Sequence, residues 1–297
     1  MTGRTPASSF TRRTFLSAIA AAISTRAAVA SQAPRVAVID WALLETCLAL
    51  GIVPLAASEL VQYRKLVVEP EAPATVNDLG LRGTPNFEML RLVKPDLILI
   101  SQFYSYQRAQ LERVAPVLDL PVHQAGTPPY ALLESSTLKL GEALGHRTGA
   151  QAYVETTADA LARARSSLAS GRTRPVFVIS LGDSRHFRAF GGDSMFGDVL
   201  AQLGLQNAWT DTTSYSAAAP VGIEALARAP EAGIVIVEPA PPETARTLPR
   251  NAVWNALPAV IENRVSTIAP VNHFGGLPSA RRFARLLQTA VGNWPAA

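Results

Sequence analysis

Apolar runs and helical stripes alternate along most of the chain. Arg35 to Asp40 holds Val36, Ala37, Val38 and Ile39 in a strand-type run, and Trp41 to Leu50 then sets Leu43, Leu44, Cys47 and Leu48 at helical spacing before Gly51 ends the pattern. Ile52 to Ala57 predicts a second strand. Asn86 to Val93 predicts a helix with Phe87, Leu90 and Val93 on one face. Lys94-Pro95-Asp96 separates it from Leu97-Ile98-Leu99-Ile100-Ser101, which is apolar at every step, as a parallel strand covered on both faces must be. A further helix from Gln107 to Val114 precedes Val117-Leu118. Strand-helix alternation of this kind predicts an α/β domain around a parallel sheet.

The middle changes period. Leu132 to Leu144 reads as a helix broken near Gly145, and Ala150 to Leu168 runs on without Gly or Pro, with Ala152, Val154, Leu161 and Ala164 at helical spacing. Gly171-Arg172-Thr173-Arg174-Pro175 ends that helix with breakers. A second α/β pattern follows: a buried strand at Val176 to Leu181, a helix at Ser194 to Leu203 facing in with Phe196, Val199, Leu200 and Leu203, and a short helix at Ile223 to Ala229. Ile234 to Val237 is another buried strand, and a closing helix at Pro278 to Val291 has Phe283, Leu286, Leu287 and Ala290 on one stripe. The expected architecture is two Rossmann-like α/β lobes joined by a single long helix, with the ligand cleft between them. The lobes span 31–145 and 172–297, and the connector 146–171.

Composition sharpens this. With 48% hydrophobic and 17% charged residues the chain is globular, and one Cys excludes a disulfide framework and a Cys-based zinc site. The net charge of +4 suggests a nucleic-acid binder until the charges are located. Residues 1–30 carry Arg4, Arg12, Arg13 and Arg26 and no acid, so the rest of the chain holds 23 basic residues against 23 acidic ones. The same thirty residues place Arg12-Arg13 before Phe15-Leu16, a mildly apolar run to Ile23, and Ala28-Val29-Ala30 as a cleavage site. That order is a secretory leader, and Thr11-Arg12-Arg13-Thr14-Phe15-Leu16 resembles a twin-arginine export motif. Cleavage after Ala30, a periplasmic location and no nucleic-acid partner are expected.

Few residues offer catalytic chemistry. Gly182-Asp183-Ser184 and Gly192-Asp193-Ser194 raise an exported serine hydrolase using Ser184 or Ser194. His186 stands too near Ser184 for separate elements to position both, and a Gly-x-Ser-x-Gly elbow is absent. Turn formation and helix capping by Asp193 or Ser194 explain these blocks better. His123, His146, His186 and His273 have no partner at a metal-ligand spacing, and no phosphate-binding glycine motif occurs. No enzyme activity, cofactor or resident metal is expected. Arg82, in the Gly- and Pro-bracketed loop Asp78 to Asn86, and Tyr104, just beyond the strand 97–101, stand where α/β folds place ligand contacts.

The chain resembles the ferric-hydroxamate siderophore-binding periplasmic proteins, the class III solute-binding proteins of iron–siderophore ABC importers. The resemblance rests on Tyr63-Arg64 with Glu69-Pro70, Asp78-x-Gly80-Leu81-Arg82-x-x-Pro85-Asn86, Lys94-Pro95, Asp183-Ser184-Arg185-His186, Phe190-Gly191, Ser194-x-Phe196 and Gly204-x-x-Asn207-Ala208-Trp209. It implies a monomeric carrier that takes an iron(III)–siderophore complex between its lobes, recognises the iron–hydroxamate centre through Arg82 and Tyr104, and passes it to an inner-membrane permease. Where the family's pocket holds tryptophans, the matching positions are Leu66, Ile100, Ser216 and Asn272. Trp209, Tyr215 and Phe274, with His273, remain as walls of an expected less aromatic, more polar cleft. Permease contact is expected at Glu224 and Glu112. A different cargo on the same fold, such as haem, cobalamin or another iron chelate, is the alternative binding reading.

Overall fold

The computed structural model describes residues 1–3, 34–169, 174–211, 213 and 218–295. Its contacts divide the chain into Met1–Ala33 and Pro34–Ala297. The second unit holds two five-stranded sheets.

In the first lobe, β1 (Val36–Val38), β2 (Ala56–Ala57), β3 (Asn77–Asp78), β4 (Leu97–Ile100) and β5 (Val117–Asp119) form an all-parallel sheet in the order β3-β2-β1-β4-β5. Helices α1 (Trp41–Ala49), α2 (Leu60–Leu66), α3 (Phe87–Val93) and α4 (Arg108–Leu111) connect the strands. Val36, Val38, Ile98, Leu99 and Ile100 are essentially inaccessible, as strands covered on both faces require. Asp40 starts α1 by accepting from the amides of Ala42 and Leu43. The run from Ile52 to Ala57 is strand only at its last two residues, because Pro54 cannot donate to a ladder. The expected helix at Gln107 to Val114 is a 3₁₀ segment, Gln102–Gln107, followed by the single turn α4.

Helix α5 (Tyr130–Ala143) leads to the 23-residue connector α6 (Arg147–Ala169), ~35 Å of continuous helix at 1.5 Å per residue. The second lobe is mixed. β6 (Val176–Leu181), β7 (His186–Ala189), β8 (Ala218–Gly222), β9 (Gly233–Val237) and β10 (Val265–Ile268) lie in the order β10-β9-β6-β7-β8, with β6–β7 and β7–β8 antiparallel. Helices α7 (Met195–Gln202), α8 (Pro242–Thr247), α9 (Ala252–Asn255), α10 (Pro258–Ile261) and α11 (Leu277–Gly292) complete it. The sequence pattern predicted β6 and β9 but not the antiparallel edge.

One apolar core runs through both lobes. It joins Val36, Leu44 and Leu99 of the first to Phe196, Leu200, Phe283 and Leu287 of the second, with Leu161 and Ala164 of α6 between them. Polar ties reinforce it. Glu45 of α1, fully buried, accepts from the Gly276 amide and from Ser279 Oγ (2.6 Å) at the start of α11. A Cβ at Gly276 would come within 2.7 Å of Thr46 Oγ1, so this close approach of α11 to α1 requires glycine. Glu69 pairs with Arg282 and, at 2.7 Å, with Arg285 of α11. Among the described residues no helix is long and apolar enough to cross a membrane.

Candidate functional site

A cavity of about 560 Å³ opens between the lobes. Trp41, Leu66 and Arg82 line it from the first lobe, and Phe187, Arg188, Phe196, His273 and Phe274 are among the residues lining it from the second. That volume is of the size that holds small-molecule cargo.

Arg82 is the most highly organised of these residues. Asp78 accepts from the amides of Gly80 and Leu60, Gly80 takes the left-handed conformation at φ +71°, and Asn86 caps α3, so both ends of the loop are tied down. Gln107 Nε2 donates to the Arg82 carbonyl at 2.9 Å. The Arg82 guanidinium lies 3.7 Å from the centre of the Trp41 ring, and its Nε donates to Glu59 Oε2 at 2.6 Å. Trp41 is held in turn by donation from its Nε1 to the Ser58 carbonyl at 2.9 Å. A guanidinium stacked on one face and paired through Nε keeps its terminal nitrogens for a ligand, the fork that suits paired anionic oxygens.

Tyr104 does not line the cavity. It sits half-buried in the 3₁₀ segment beyond β4, where burial chiefly, with the Asp40 carboxyl, pushes its phenol up to about 12, while Arg82 acts the other way. Its phenol therefore stays protonated and able to donate. Asp40 itself is buried and accepts from Ser101 Oγ at 2.6 Å, and burial raises its pKa.

Of the four positions matched to the family's tryptophans, Leu66 and Asn272 line the cavity, and neither carries an aromatic ring. Trp41, Phe187 and Phe196, which the sequence did not single out as walls, line it together with Phe274, which it did. Behind them an aromatic floor crosses from lobe to lobe: Phe103 lies 5.0 Å from Phe274, Phe274 4.5 Å from His273, and His273 5.5 Å from Phe190, centroid to centroid. His273 is half-buried, and desolvation, then Arg188 and Arg82, push its pKa down to about 4, so it is neutral near pH 7. Trp209 is not a wall residue. It packs edge-on against Phe187 at 6.1 Å, inside the second lobe, and lines a separate recess with Arg228. Tyr215 and Ser216 lie outside the described residues. Glu224, in the 3₁₀ segment Ile223–Arg228, is exposed, and exposed Glu112 pairs with Arg108 at 3.5 Å. Among the described residues no group of three or more His, Cys, Asp or Glu could hold a metal ion.

The hydroxyl proposed for hydrolysis is differently employed. Ser194 Oγ is buried, donates to the Gly191 carbonyl at 2.6 Å and accepts from the Gly197 amide at 2.9 Å, capping α7. Asp183 accepts from the amides of Arg185 and His186, closing a turn. Ser194→Ala is therefore expected to cost ~0.5–2 kcal/mol of stability in denaturant unfolding. It should leave the hydrolysis of simple esters at the uncatalysed rate; an esterase activity lost with Ser184 or Ser194 would reinstate a hydrolase.

Two α/β lobes bridged by one long helix, with an apolar, guanidinium-bearing cavity between them, define a solute-binding protein. Residues 36–271 match the family described as periplasmic binding protein, and the chain belongs to that family, one of binding proteins rather than enzymes. It is 29% identical over 286 residues to the iron(3+)-hydroxamate-binding protein FhuD of Escherichia coli, covering 95% of this chain and 96% of that protein. It is 25% identical over 237 residues to the Fe(3+) dicitrate-binding periplasmic protein FecB of the same organism, covering 79% and 76%. Among solved structures, the siderophore-binding protein FhuD of Vibrio cholerae, bound to Fe3+–Desferal, aligns with a TM-score of 0.84 at 28% identity, over 89% of this chain and all of that one.

Proposed function

We propose that the protein captures ferric hydroxamate siderophores in the interlobe cavity and delivers them intact to an ABC importer. The observation that carries this reading is the placement of Arg82, stacked and ion-paired, against a cargo-sized cavity in a chain alike over nearly its whole length to hydroxamate-iron binders. Hydroxamate oxygens keep negative charge when they hold iron, and an Arg fork donates to such oxygens. The iron arrives fully chelated, so the protein needs no ligand set of its own. Leu66, His273 and Phe274 supply the apolar and aromatic walls.

Residues 1–30 then act as a twin-arginine leader removed after Ala30, which puts the carrier in the periplasm. Exposed Glu224 on the second lobe and Glu112 on the first are the proposed contacts with permease cations. Titration of tryptophan fluorescence with ferrioxamine, ferrichrome, cobalamin and haem tests the assignment. Saturable quenching by the two ferric hydroxamates is expected; quenching by cobalamin or haem alone would overturn it.

A further inference from the structure

Arg188 belongs to β7, the antiparallel strand that the hydrophobic pattern did not reveal. The β7–β8 register slips between Phe187 and Ala189, and while those two neighbours are buried, Arg188 is exposed and lines the cavity. Strand alternation turns Arg188 to the face opposite its two buried neighbours. Arg82 has Glu59 as a counter-charge, whereas no carboxylate among the described residues comes within 4.0 Å of the Arg188 guanidinium. Glu238 lines the same cavity without pairing with it. Arg188 and Arg82 both act on His273, which stands between the lobes and is itself neutral. The cleft thus carries one satisfied guanidinium on the first lobe and one unsatisfied guanidinium on the second.

We propose that Arg188 is a second cationic anchor that reads a free carboxylate carried by the cargo, so that the preferred ligands are anionic ferric hydroxamates. The inference rests on the hydroxamate reading above and narrows it to a charge class. The physical reason works in both directions. A cargo that fills this apolar cavity strips water from Arg188, and a neutral or cationic cargo leaves that charge without a partner. A carboxylate restores it with a charge-assisted, two-pronged hydrogen bond.

The test holds the iron centre constant and changes only the tail. The ferric complexes of desferrioxamine B, with its free ammonium, of its N-acetyl derivative, which is neutral, and of its N-succinyl derivative, which ends in a carboxylate, are titrated by fluorescence quenching at low ionic strength. The succinyl complex is expected to bind roughly tenfold or more tighter than the ammonium form, the equivalent of one charged contact. Arg188→Gln should collapse that spread and Arg188→Lys should keep its sign, with far-ultraviolet dichroism showing all three proteins folded. Added salt should shrink the preference in the wild type. Equal affinities for the three complexes, or a preference that survives Arg188→Gln, overturns the role of Arg188 and leaves the hydroxamate reading standing. Failure of all three to bind overturns that reading and this inference with it.

Discussion

Arg82→Ala is expected to weaken binding of a ferric hydroxamate by roughly ten- to a hundredfold, since a hydrogen bond to a charged partner is worth ~1.5–3 kcal/mol. The loss should be larger than a bare charge deletion on the surface, because the guanidinium is already positioned. Trp41 supports one face, Glu59 fixes Nε, and Gln107 holds the loop carbonyl. The free protein has therefore met most of the ordering cost before the cargo arrives. Arg82→Lys should recover little, because a lysine restores the charge but neither the stack nor the fork. Fluorescence titration of the three proteins decides the matter: an unchanged dissociation constant in Arg82→Ala removes this residue from the site.

Glu45→Ala is expected to lower stability by ~1–3 kcal/mol, the cost of leaving a buried hydrogen-bond donor unsatisfied. It would strip the partner from the Gly276 amide and from Ser279 Oγ and leave a void between α1 and α11. Burial, opposed by these two hydrogen bonds, pushes the Glu45 carboxyl up to about 8. In the unfolded chain the same carboxyl titrates near ~4.3. Between those values the folded protein holds a proton that the unfolded chain has released, so folding stability falls as pH rises through that window and levels off above it. Glu45→Gln keeps an uncharged group of the same shape and should flatten that dependence while costing much less than alanine. Urea unfolding at pH 5 and pH 8 reads both effects; identical pH slopes for wild type and Glu45→Gln would contradict the assignment.

The frame of the fold was legible wherever an element was long or covered on both faces. β4, β6 and β9 are continuous apolar runs, and α6 announces itself by length, although it begins at Arg147, earlier than its apolar stripe. Two-residue strands such as β2 and β3 carry no periodicity to read. The β7 sequence, His186-Phe187-Arg188-Ala189, does alternate, but four residues after a tight turn do not separate a strand from a loop. In the site, the Gly- and Pro-bracketed loop placed Arg82 near a strand end without setting it apart from an ordinary solvated arginine, and the family resemblance alone singled it out. Trp41 was hidden because it also reads as the first residue of an amphipathic helix. Trp209 misled for the opposite reason: aromatic size suggested a wall, yet tertiary packing set it behind Phe187.

The 23-residue connector has a kinetic consequence. A single unbroken helix, packed into the core that both lobes share, leaves little freedom for one lobe to swing against the other. Cargo arriving at such a cleft does not wait for a rare shape of the protein before it can dock. Capture then proceeds at the pace of encounter, and differences among chelates fall on how long each one stays.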